Sequence, residues 1–241
     1  MRSDMGVIMK FFGFLLLTVV NMSFAVDLYN PSNNQLSIPS VQVGSTTYNN
    51  VVVTVGNILS IGSSSNSNTY VRIQTSLGSM DFQLFPVNAP LTVQNFLNYA
   101  NAGFFNGTIF HRVIPSFVIQ GGGYTTGLVL KVPTQSPIQL ETPNGLSNAQ
   151  YTIAMARTND PNSATSQFFI NLTNNAASLD YINALNQGYT VFGISTNNFG
   201  LGAQTNSVIN TIANTPTQTL NGFANVPVTD VVIKSVTVLN N

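Results

Sequence analysis

The sequence predicts a mainly β fold, which the residue pattern indicates is an all-β barrel accompanied by two helices. Short runs of alternating apolar and polar residues, separated by Gly, Pro and Asn, recur between about Thr69 and Leu239. This period-two pattern is typical of half-buried strands. Two stretches instead place apolar residues at helical spacing. The 241 residues are enough for one large domain, or for one domain with an appendage.

The composition excludes several classes of function. Charged residues make up only 6% of the chain, with seven basic and seven acidic side chains, so the net charge is near zero. A neutral chain this poor in Lys and Arg lacks the electrostatic surface that binds nucleic acids. There is no cysteine and a single histidine, His111, which excludes disulfides, thiolate nucleophiles and multi-histidine metal sites. We therefore expect no thiolate or multi-histidine metal site and no nucleic-acid partner.

The N-terminus has the three-part form of a secretory signal peptide, which we assign to residues 1–25. Lys10 precedes the apolar run Phe11–Val20, and Ser23–Ala25 supplies small residues before a cleavage site at Val26. The run is too short to span a bilayer comfortably, although a retained membrane anchor is the alternative. We expect a periplasmic or secreted protein that is not stably inserted in a membrane after cleavage of the signal.

The next segment, residues 26–61, predicts a small β-rich extension. Alternating valines on either side of a turn at Gly44–Thr47 indicate a hairpin or a small meander. Such a piece is too small to bury a core of its own, so it should dock on the main domain, a second copy or another partner. It is either a spacer or added strand, a targeting or dimerisation element, or an adhesin-like assembly element that uses the barrel as a scaffold. The polar residues 62–68 indicate a flexible linker.

The remaining residues, 69–241, form the main domain. Tyr70–Thr75 and Ser79–Phe85 predict a pair of strands joined by a turn. Asn88, followed by a proline in the first turn, predicts the start of a helix with one apolar face. A second helix is predicted over Ser207–Ala213, and the alternating run Val228–Leu239 closes the domain.

The most informative stretch, Phe104–Gly123, reads FFNGTIFHRVIPSFVIQGGG. Its spacing of Arg112, Phe117 and Gln120 does not fit one helical stripe. In extended chain with a turn at Pro115-Ser116, all three side chains can face one cleft. They would provide a fixed cation, an apolar floor and an amide, with no acid, base or nucleophile among them. The three consecutive glycines lack a phosphate-binding pattern and are interpreted as a turn.

This stretch resembles the signature of the cyclophilins, the peptidyl-prolyl cis/trans isomerases, in the form FxxxxFHRVIPxFxxQGG. A second block agrees with the family: YTIAMAR over Tyr151–Arg157, SQFFI over Ser166–Ile170, and GYTVFG over Gly188–Gly193. The resemblance runs from about Thr69 to about Leu239. It implies a closed eight-stranded antiparallel β-barrel capped by two helices. It also implies isomerase activity, without a metal or another cofactor, toward proline-containing unfolded or newly exported polypeptides.

The resemblance also implies the roles of individual residues. Arg112 and Gln120 match catalytic positions, Gln120 contacting the substrate carbonyl and steadying the arginine. The residues that match the substrate-binding positions are Phe117, Met155, Ala156, Arg157, Gln167, Phe169, Leu179 and Tyr189. Phe117, Met155, Phe169 and Leu179 would form the slot for the proline ring, and Ala156 with the backbone of Arg157 the edge along which the peptide lies. Since neighbours in a strand face opposite ways, Phe168 is assigned to the core.

The chain departs from the family pattern at several positions. Ser178 replaces a tryptophan that contacts cyclosporin in sensitive cyclophilins, so weak cyclosporin binding is expected. Tyr189 stands where many members carry histidine. The short loop Tyr124–Gln139 makes the match closest to bacterial exported cyclophilins, whereas Gly193–Ser207 predicts an enlarged surface loop.

Isomerisation requires rotation about a partial double bond, against a barrier of about 18–20 kcal/mol. The proline nitrogen regains a lone pair in the twisted transition state, and Arg112 is the expected donor to it. His111 lacks the partners of a catalytic base and is interpreted as a structural, hydrogen-bonded histidine. The alternative function is a non-catalytic module or chaperone that binds proline peptides, for which the slot would suffice without the arginine.

Overall fold

The computed structural model of the protein describes residues 29–30, 35–43, 46–54, 69–197 and 204–239. The chain divides into two compact units between Ser67 and Asn68. The predicted signal peptide at 1–25, the predicted linker at 62–68 and the middle of the predicted surface loop lie outside the described residues. None of the helices that are described is long and apolar enough to cross a membrane.

Among its described residues, the first unit contains three strands, β1 (Tyr29–Asn30), β2 (Gln35–Val43) and β3 (Thr46–Thr54). They form an antiparallel sheet in the order β1-β2-β3. These strands fall within the segment predicted to be a β-rich extension. The boundaries and the role of that extension stay predictions.

The second unit contains eleven strands and three helices among its described residues. In chain order they are β4 (Thr69–Thr75), β5 (Gly78–Leu84), α1 (Pro90–Asn101), β6 (Thr108–Ile114), β7 (Val118–Thr125), β8 (Val129–Leu130), β9 (Thr152–Met155), β10 (Phe168–Asn171), α2 (Ala176–Leu179), β11 (Val191–Ser195), α3 (Gln204–Ala213), β12 (Thr217–Leu220), β13 (Phe223–Pro227) and β14 (Ile233–Leu239). The strand pair at the start and the two longer helices occur where the sequence predicts them. The four-residue helix α2 was not predicted. The predicted surface loop is shorter than expected, because its ends belong to β11 and α3.

Nine of these strands form one curled sheet, and this corrects the prediction of a closed eight-stranded barrel. Its order is β14-β4-β5-β11-β9-β10-β7-β6, with β8 paired to β7, so the sheet is an open path rather than a ring. The end strand β6 and the segment before and at the start of β14 meet only through an isolated bridge, Ile109 to Val232, and a few backbone hydrogen bonds. Each end strand also has an irregular register with its inner neighbour, β14 with β4 and β6 with β7.

Aromatic rings fill the main core between the sheet and the helices. The ring of Phe96 on α1 lies 5.0 to 5.6 Å from the rings of Phe105, Phe168 and Phe192. Ile209 of α3 is buried in the same cluster. Because these rings are fully enclosed and packed in tilted or edge-to-face pairs, they contribute strongly to the stability of the unit.

The start of α1 is capped by a residue distant in the sequence. The predicted cap, Asn88, makes no capping hydrogen bond. Instead, the Glu141 carboxylate accepts hydrogen bonds from the backbone N–H groups of Leu91 and Thr92 at 2.9 and 2.8 Å. A carboxylate at this end satisfies free N–H groups and interacts favourably with the helix dipole.

Candidate active site

Three neighbouring strands place the candidate catalytic residues in one row. Arg112 on β6 lies opposite Gln120 on β7, and Gln120 lies opposite Phe169 on β10. Side chains of directly paired residues project from the same face of a sheet. The cation, the amide and the ring of Phe169 therefore share one face, whereas Phe117, the ring of the predicted set, packs against the apolar cluster beside them.

A β-bulge at His111 gives Arg112 this position. Phe110 lies opposite Gly121 and Arg112 lies opposite Gln120, so β6 uses three residues where β7 uses two. Without the extra residue, His111 would lie opposite Gln120 and Arg112 would be turned to the face of the main core. The bulge thus presents the guanidinium on the open face while Phe110 remains buried in the core.

Hydrogen bonds connect the two polar side chains of the row, Arg112 and Gln120, to each other and to Gln167, which directly precedes β10. Arg112 donates a long hydrogen bond from an Nη atom to Gln120 Oε1 at 3.4 Å, and Gln120 Nε2 donates to Gln167 Oε1 at 3.1 Å. All three residues are half-buried. The oxygen of the Gln120 amide is thereby directed toward the arginine, which limits the orientations of the guanidinium.

An apolar cluster lies beside this row, on the face of the sheet opposite the main core. Its buried members are Val118, Ala154, Phe169, Leu179 and Val191, with Phe117, Leu146, Ala156 and Tyr189 packed against them. The rings of Phe169 and Tyr189 meet edge to face, with centroids 5.6 Å apart. The cluster offers an apolar surface of a kind that a proline ring can contact.

The structure does not bring Met155 into this cluster, contrary to its predicted place in the slot. Met155 is 2% exposed, lies opposite Phe168 and belongs to the main core. Val118 occupies the cluster instead. The only sequence signal for Val118 was its position directly after Phe117. Phe117 lies at the end of a turn and Val118 begins β7, and two such residues do not have to face opposite sides of the sheet.

The Arg157 side chain packs against Tyr189 and the segment before it. Its guanidinium lies 4.7 Å from the centre of the Tyr189 ring, and its Nε and one Nη donate to the Gly188 carbonyl at 3.0 and 2.8 Å. Two contacts therefore hold the Tyr189 ring, the edge-to-face contact with Phe169 and the cation–π contact with Arg157. Along the neighbouring edge, the Ala156 N–H donates to the Gln167 carbonyl at 3.0 Å.

The glycine triplet belongs to strand β7, which corrects its interpretation as a turn. A side chain at Gly123 would come within 2.5 Å of the Gln167 side chain. At Gly122, where φ is +84°, it would come within 2.8 Å of the Ser166 carbonyl oxygen. These glycines are required because β10 and the segment before it approach the backbone of β7 closely.

His111 has the properties of a buried neutral residue rather than those of a base. It is 5% exposed, and its ring centroid lies 4.7 Å from that of Tyr124. Burial, and next the charge of Arg112, lower its pKa from 6.5 to about 4. The expected hydrogen bonding is incomplete, since Nδ1 is buried without a partner among the described residues. An imidazole with this pKa is a poor proton acceptor at neutral pH.

The rim of the site beside Leu179 carries exposed residues. Ser178, on which the expectation of weak cyclosporin binding depends, is exposed. The following loop carries Leu185, which is 99% exposed.

Within the described part of the chain, no three His, Asp or Glu side chains are placed to hold a metal ion.

Comparison with known proteins gives a consistent family. The family model described as "Cyclophilin type peptidyl-prolyl cis-trans isomerase/CLD" matches residues 70–238. The chain is 43% identical to a peptidyl-prolyl cis-trans isomerase of Acinetobacter baylyi over 188 residues, covering 77% of this chain and 93% of that protein. It is 42% identical to peptidyl-prolyl cis-trans isomerase B of Escherichia coli, covering 70% of this chain and 98% of that protein.

Solved structures agree with the sequence relatives. A cyclophilin-type isomerase of Cryptosporidium parvum superposes with a TM-score of 0.59 at 28% identity, covering 72% of this chain and 99% of that one. The same protein in the presence of the dipeptide Ala-Pro superposes with a TM-score of 0.58 at 28% identity, covering 71% of this chain and 99% of that one.

Proposed function

The chain belongs to the cyclophilin-type peptidyl-prolyl cis-trans isomerases and is an enzyme of that activity, and we propose that Arg112 is its catalytic donor and Gln120 the residue that positions it. The proposal is supported by one observation above all. The β-bulge at His111 places Arg112 opposite Gln120, on the open face beside the apolar cluster.

The proposed chemistry is stabilisation of a twisted amide. In the planar ground state the lone pair of the proline nitrogen is delocalised, whereas in the transition state it is localised and can accept a hydrogen bond. A guanidinium directed at that nitrogen binds the transition state more tightly than the ground state, and only such differential binding accelerates the step. Arginine suits this role because it is always charged and presents its donors in a rigid fork.

The apolar cluster would hold the proline ring while the bond rotates. Phe169 and Leu179 provide buried walls, and Phe117 and Tyr189 are half-buried at its edge. Gln120 and Gln167 would fix the neighbouring peptide groups, and the backbone beside Ala156 and Arg157 would align the extended substrate. Met155, which is enclosed in the main core, would support this wall from behind.

Replacement of the arginine tests the mechanism. In Arg112→Ala we expect kcat/KM for a short X-Pro peptide to fall by about a hundredfold or more, nearly 3 kcal/mol of transition-state stabilisation. Arg112→Lys should recover little, because a mobile ammonium does not reproduce the fork. A protease-coupled assay and a peptide titration are run on each variant. Full activity in Arg112→Ala would refute the assignment, whereas retained binding with lost turnover would support it.

We also propose that the enzyme acts on newly exported polypeptides outside the cytoplasm. The support is the secretory pattern of residues 1–25, and no client is implied beyond an exposed X-Pro bond. Cell fractionation followed by N-terminal sequencing tests this, with a mature start at Val26 expected outside the cytoplasm. A cytoplasmic protein that retains residues 1–25 would refute it.

Weak cyclosporin binding belongs to the same proposal. Ser178 offers an exposed hydroxyl where sensitive cyclophilins present an indole, so both the ring contact and its N–H donor are missing there. Titration of cyclosporin into the wild-type protein and into Ser178→Trp measures this directly. Tighter binding by the tryptophan variant is expected, and equal binding by the two proteins would contradict the reasoning.

A further inference from the structure

A cleft extends from the candidate catalytic row, Arg112 and Gln120, toward the β12–β13 hairpin. It has a volume of about 470 Å³, and its lining residues are His111, Arg112, Gln120, Tyr124, Gln167, Gly222, Phe223, Ala224 and Asn225. Arg112, Gln120 and Gln167 border the apolar cluster as well, but none of the cluster's own members lines the cleft. The cleft is therefore continuous with the proposed site and chemically separate from the proline slot.

The hairpin that forms the outer wall has a well-defined conformation. Leu220 pairs with Phe223 across a two-residue turn, Asn221-Gly222, in which both φ angles are positive, at 52° and 83°. Asn-Gly with two positive φ angles is the favoured composition of a tight hairpin turn that matches the twist of the strands. At its base, Val226 is buried.

Phe223 extends an aromatic wall from the sheet to the hairpin tip. Its ring meets that of Tyr124 edge to face with centroids 5.4 Å apart, and Tyr124 in turn packs on His111. The Phe223 side chain is nevertheless 38% exposed. One edge of the ring is thus fixed by packing, while the rest faces solvent beside the cleft and is available to an apolar ligand.

The charges of the lining define the occupant. Arg112 is the one described lining residue that is charged at neutral pH, because the lowered pKa of His111 keeps that ring neutral. The arginine would already be engaged with the prolyl bond. What the cleft offers to a second group is therefore aromatic surface with a few amide groups, which suits an apolar or aromatic side chain and not a charged one.

We propose that this cleft is a substrate subsite in which Phe223 and Tyr124 bind an apolar or aromatic side chain flanking the proline of the client chain. The inference rests on the proposed catalytic role of Arg112 and Gln120, since those residues join the two binding regions. The enzyme then selects prolines that have a large apolar neighbour. Such a neighbour is a feature of segments that are buried in folded proteins and exposed in unfolded ones.

A peptide series tests the subsite. An X-Pro peptide with alanine at all other positions is compared with peptides in which one phenylalanine is moved through the flanking positions on either side. Isomerisation is followed by NMR exchange between cis and trans signals, and affinity by titration. We expect phenylalanine at one of these positions to raise kcat/KM about fivefold to tenfold relative to the alanine peptide. A rate that is independent of phenylalanine at every position would overturn the proposal.

Variants of the hairpin assign any preference to Phe223. In Phe223→Ala the ratio between the best phenylalanine peptide and the alanine peptide should fall about fivefold. In the matched control Leu220→Ala, which removes the apolar cross-strand neighbour outside the cleft lining, the ratio should be kept. An undiminished ratio in Phe223→Ala would refute the assignment.

Two further readouts keep the test decisive. On wild-type protein, the ring signals of Tyr124 and Phe223 should shift when the best peptide is added, and unshifted rings would refute the subsite even if Phe223→Ala loses its hairpin. Fast isomerisation without phenylalanine preference would leave the Arg112 mechanism standing and remove the subsite. Binding that depends on Phe223 but is not followed by isomerisation would support the subsite and refute the catalytic role of Arg112.

Discussion

Phe168 and Phe169 are neighbours in one strand, but Phe168 belongs to the main core and Phe169 to the smaller apolar cluster. Phe168 is fully buried and its ring contacts those of Phe96, Phe105 and Phe110 at centroid distances of 5.6 to 5.9 Å. Phe169 lies on the opposite face, in the smaller cluster with Tyr189. The main core is enclosed by helices, whereas the smaller cluster ends at a half-buried row of polar side chains.

Under the proposed function, the two faces of one sheet separate stability from catalysis. Side chains alternate between faces along a strand, so β10 supplies the enclosed core with one ring and the candidate proline slot with the next. Truncation of a side chain on the enclosed face removes many contacts, and no neighbouring group or solvent can replace them. A residue of the open face is bordered by solvent and by half-buried groups that can adjust. The two faces should therefore respond differently to the same substitution.

The largest expected effect is on the enclosed face. Phe168→Ala removes a ring from the centre of the aromatic cluster and leaves a cavity that its rigid neighbours cannot fill. We expect the free energy of unfolding to fall by about 3 to 5 kcal/mol. Urea denaturation followed by circular dichroism measures this. Under conditions in which the variant is folded, its kcat/KM should remain within a few fold of wild type.

The matched substitution on the open face should reverse this order. Phe169→Ala opens the wall of the slot, and we expect kcat/KM for an X-Pro peptide to fall by about tenfold or more, or 1.4 kcal/mol in transition-state binding. Its loss in free energy of unfolding should be smaller than that of Phe168→Ala. The same two assays on both variants decide the matter. Equal losses of stability and of activity in the two variants would show that the faces are not functionally distinct.

Much of this arrangement could be predicted from local pattern. The division of Phe168 and Phe169 between two faces follows from the period of a strand. Helix α1 was predicted from the proline at its start and the apolar spacing that follows. These features depend on residues close in sequence, which is why one sequence was enough.

Other features depend on contacts between distant segments, and the sequence pattern did not reveal them. The bulge at His111 is a property of how β6 registers on β7, not of either strand alone. Glu141 caps a helix that begins some fifty residues earlier, so no local capping pattern indicates it. Met155 was assigned to the slot from its place in a motif, although the pairing of β9 with β10 places it in the main core. The open path of the sheet likewise depends on how its two end strands, which are far apart in the sequence, meet through a single bridge.

His111 tests whether a residue beside the site can behave energetically as part of the core. Its pKa is lowered from 6.5 to about 4 in the folded protein, so the unfolded chain binds a proton more readily between these values. The contribution of this group to stability is therefore fully present above about pH 6.5 and is lost as the pH falls through 6.5 toward 4. Between pH 6.5 and 5 the loss should be about 1.5 kcal/mol in the free energy of unfolding.

The single histidine of the chain makes this the cleanest comparison and the smallest effect. Urea denaturation of wild type and of His111→Gln at both pH values measures it, and the variant should show a much weaker dependence on pH in this range. Activity should not follow the same titration, because the ring is neutral throughout the range in the folded enzyme and donates no proton to the rotating bond. A fall in kcat/KM with a midpoint near 6.5 that is lost in His111→Gln would instead place this residue in the chemistry of the open face.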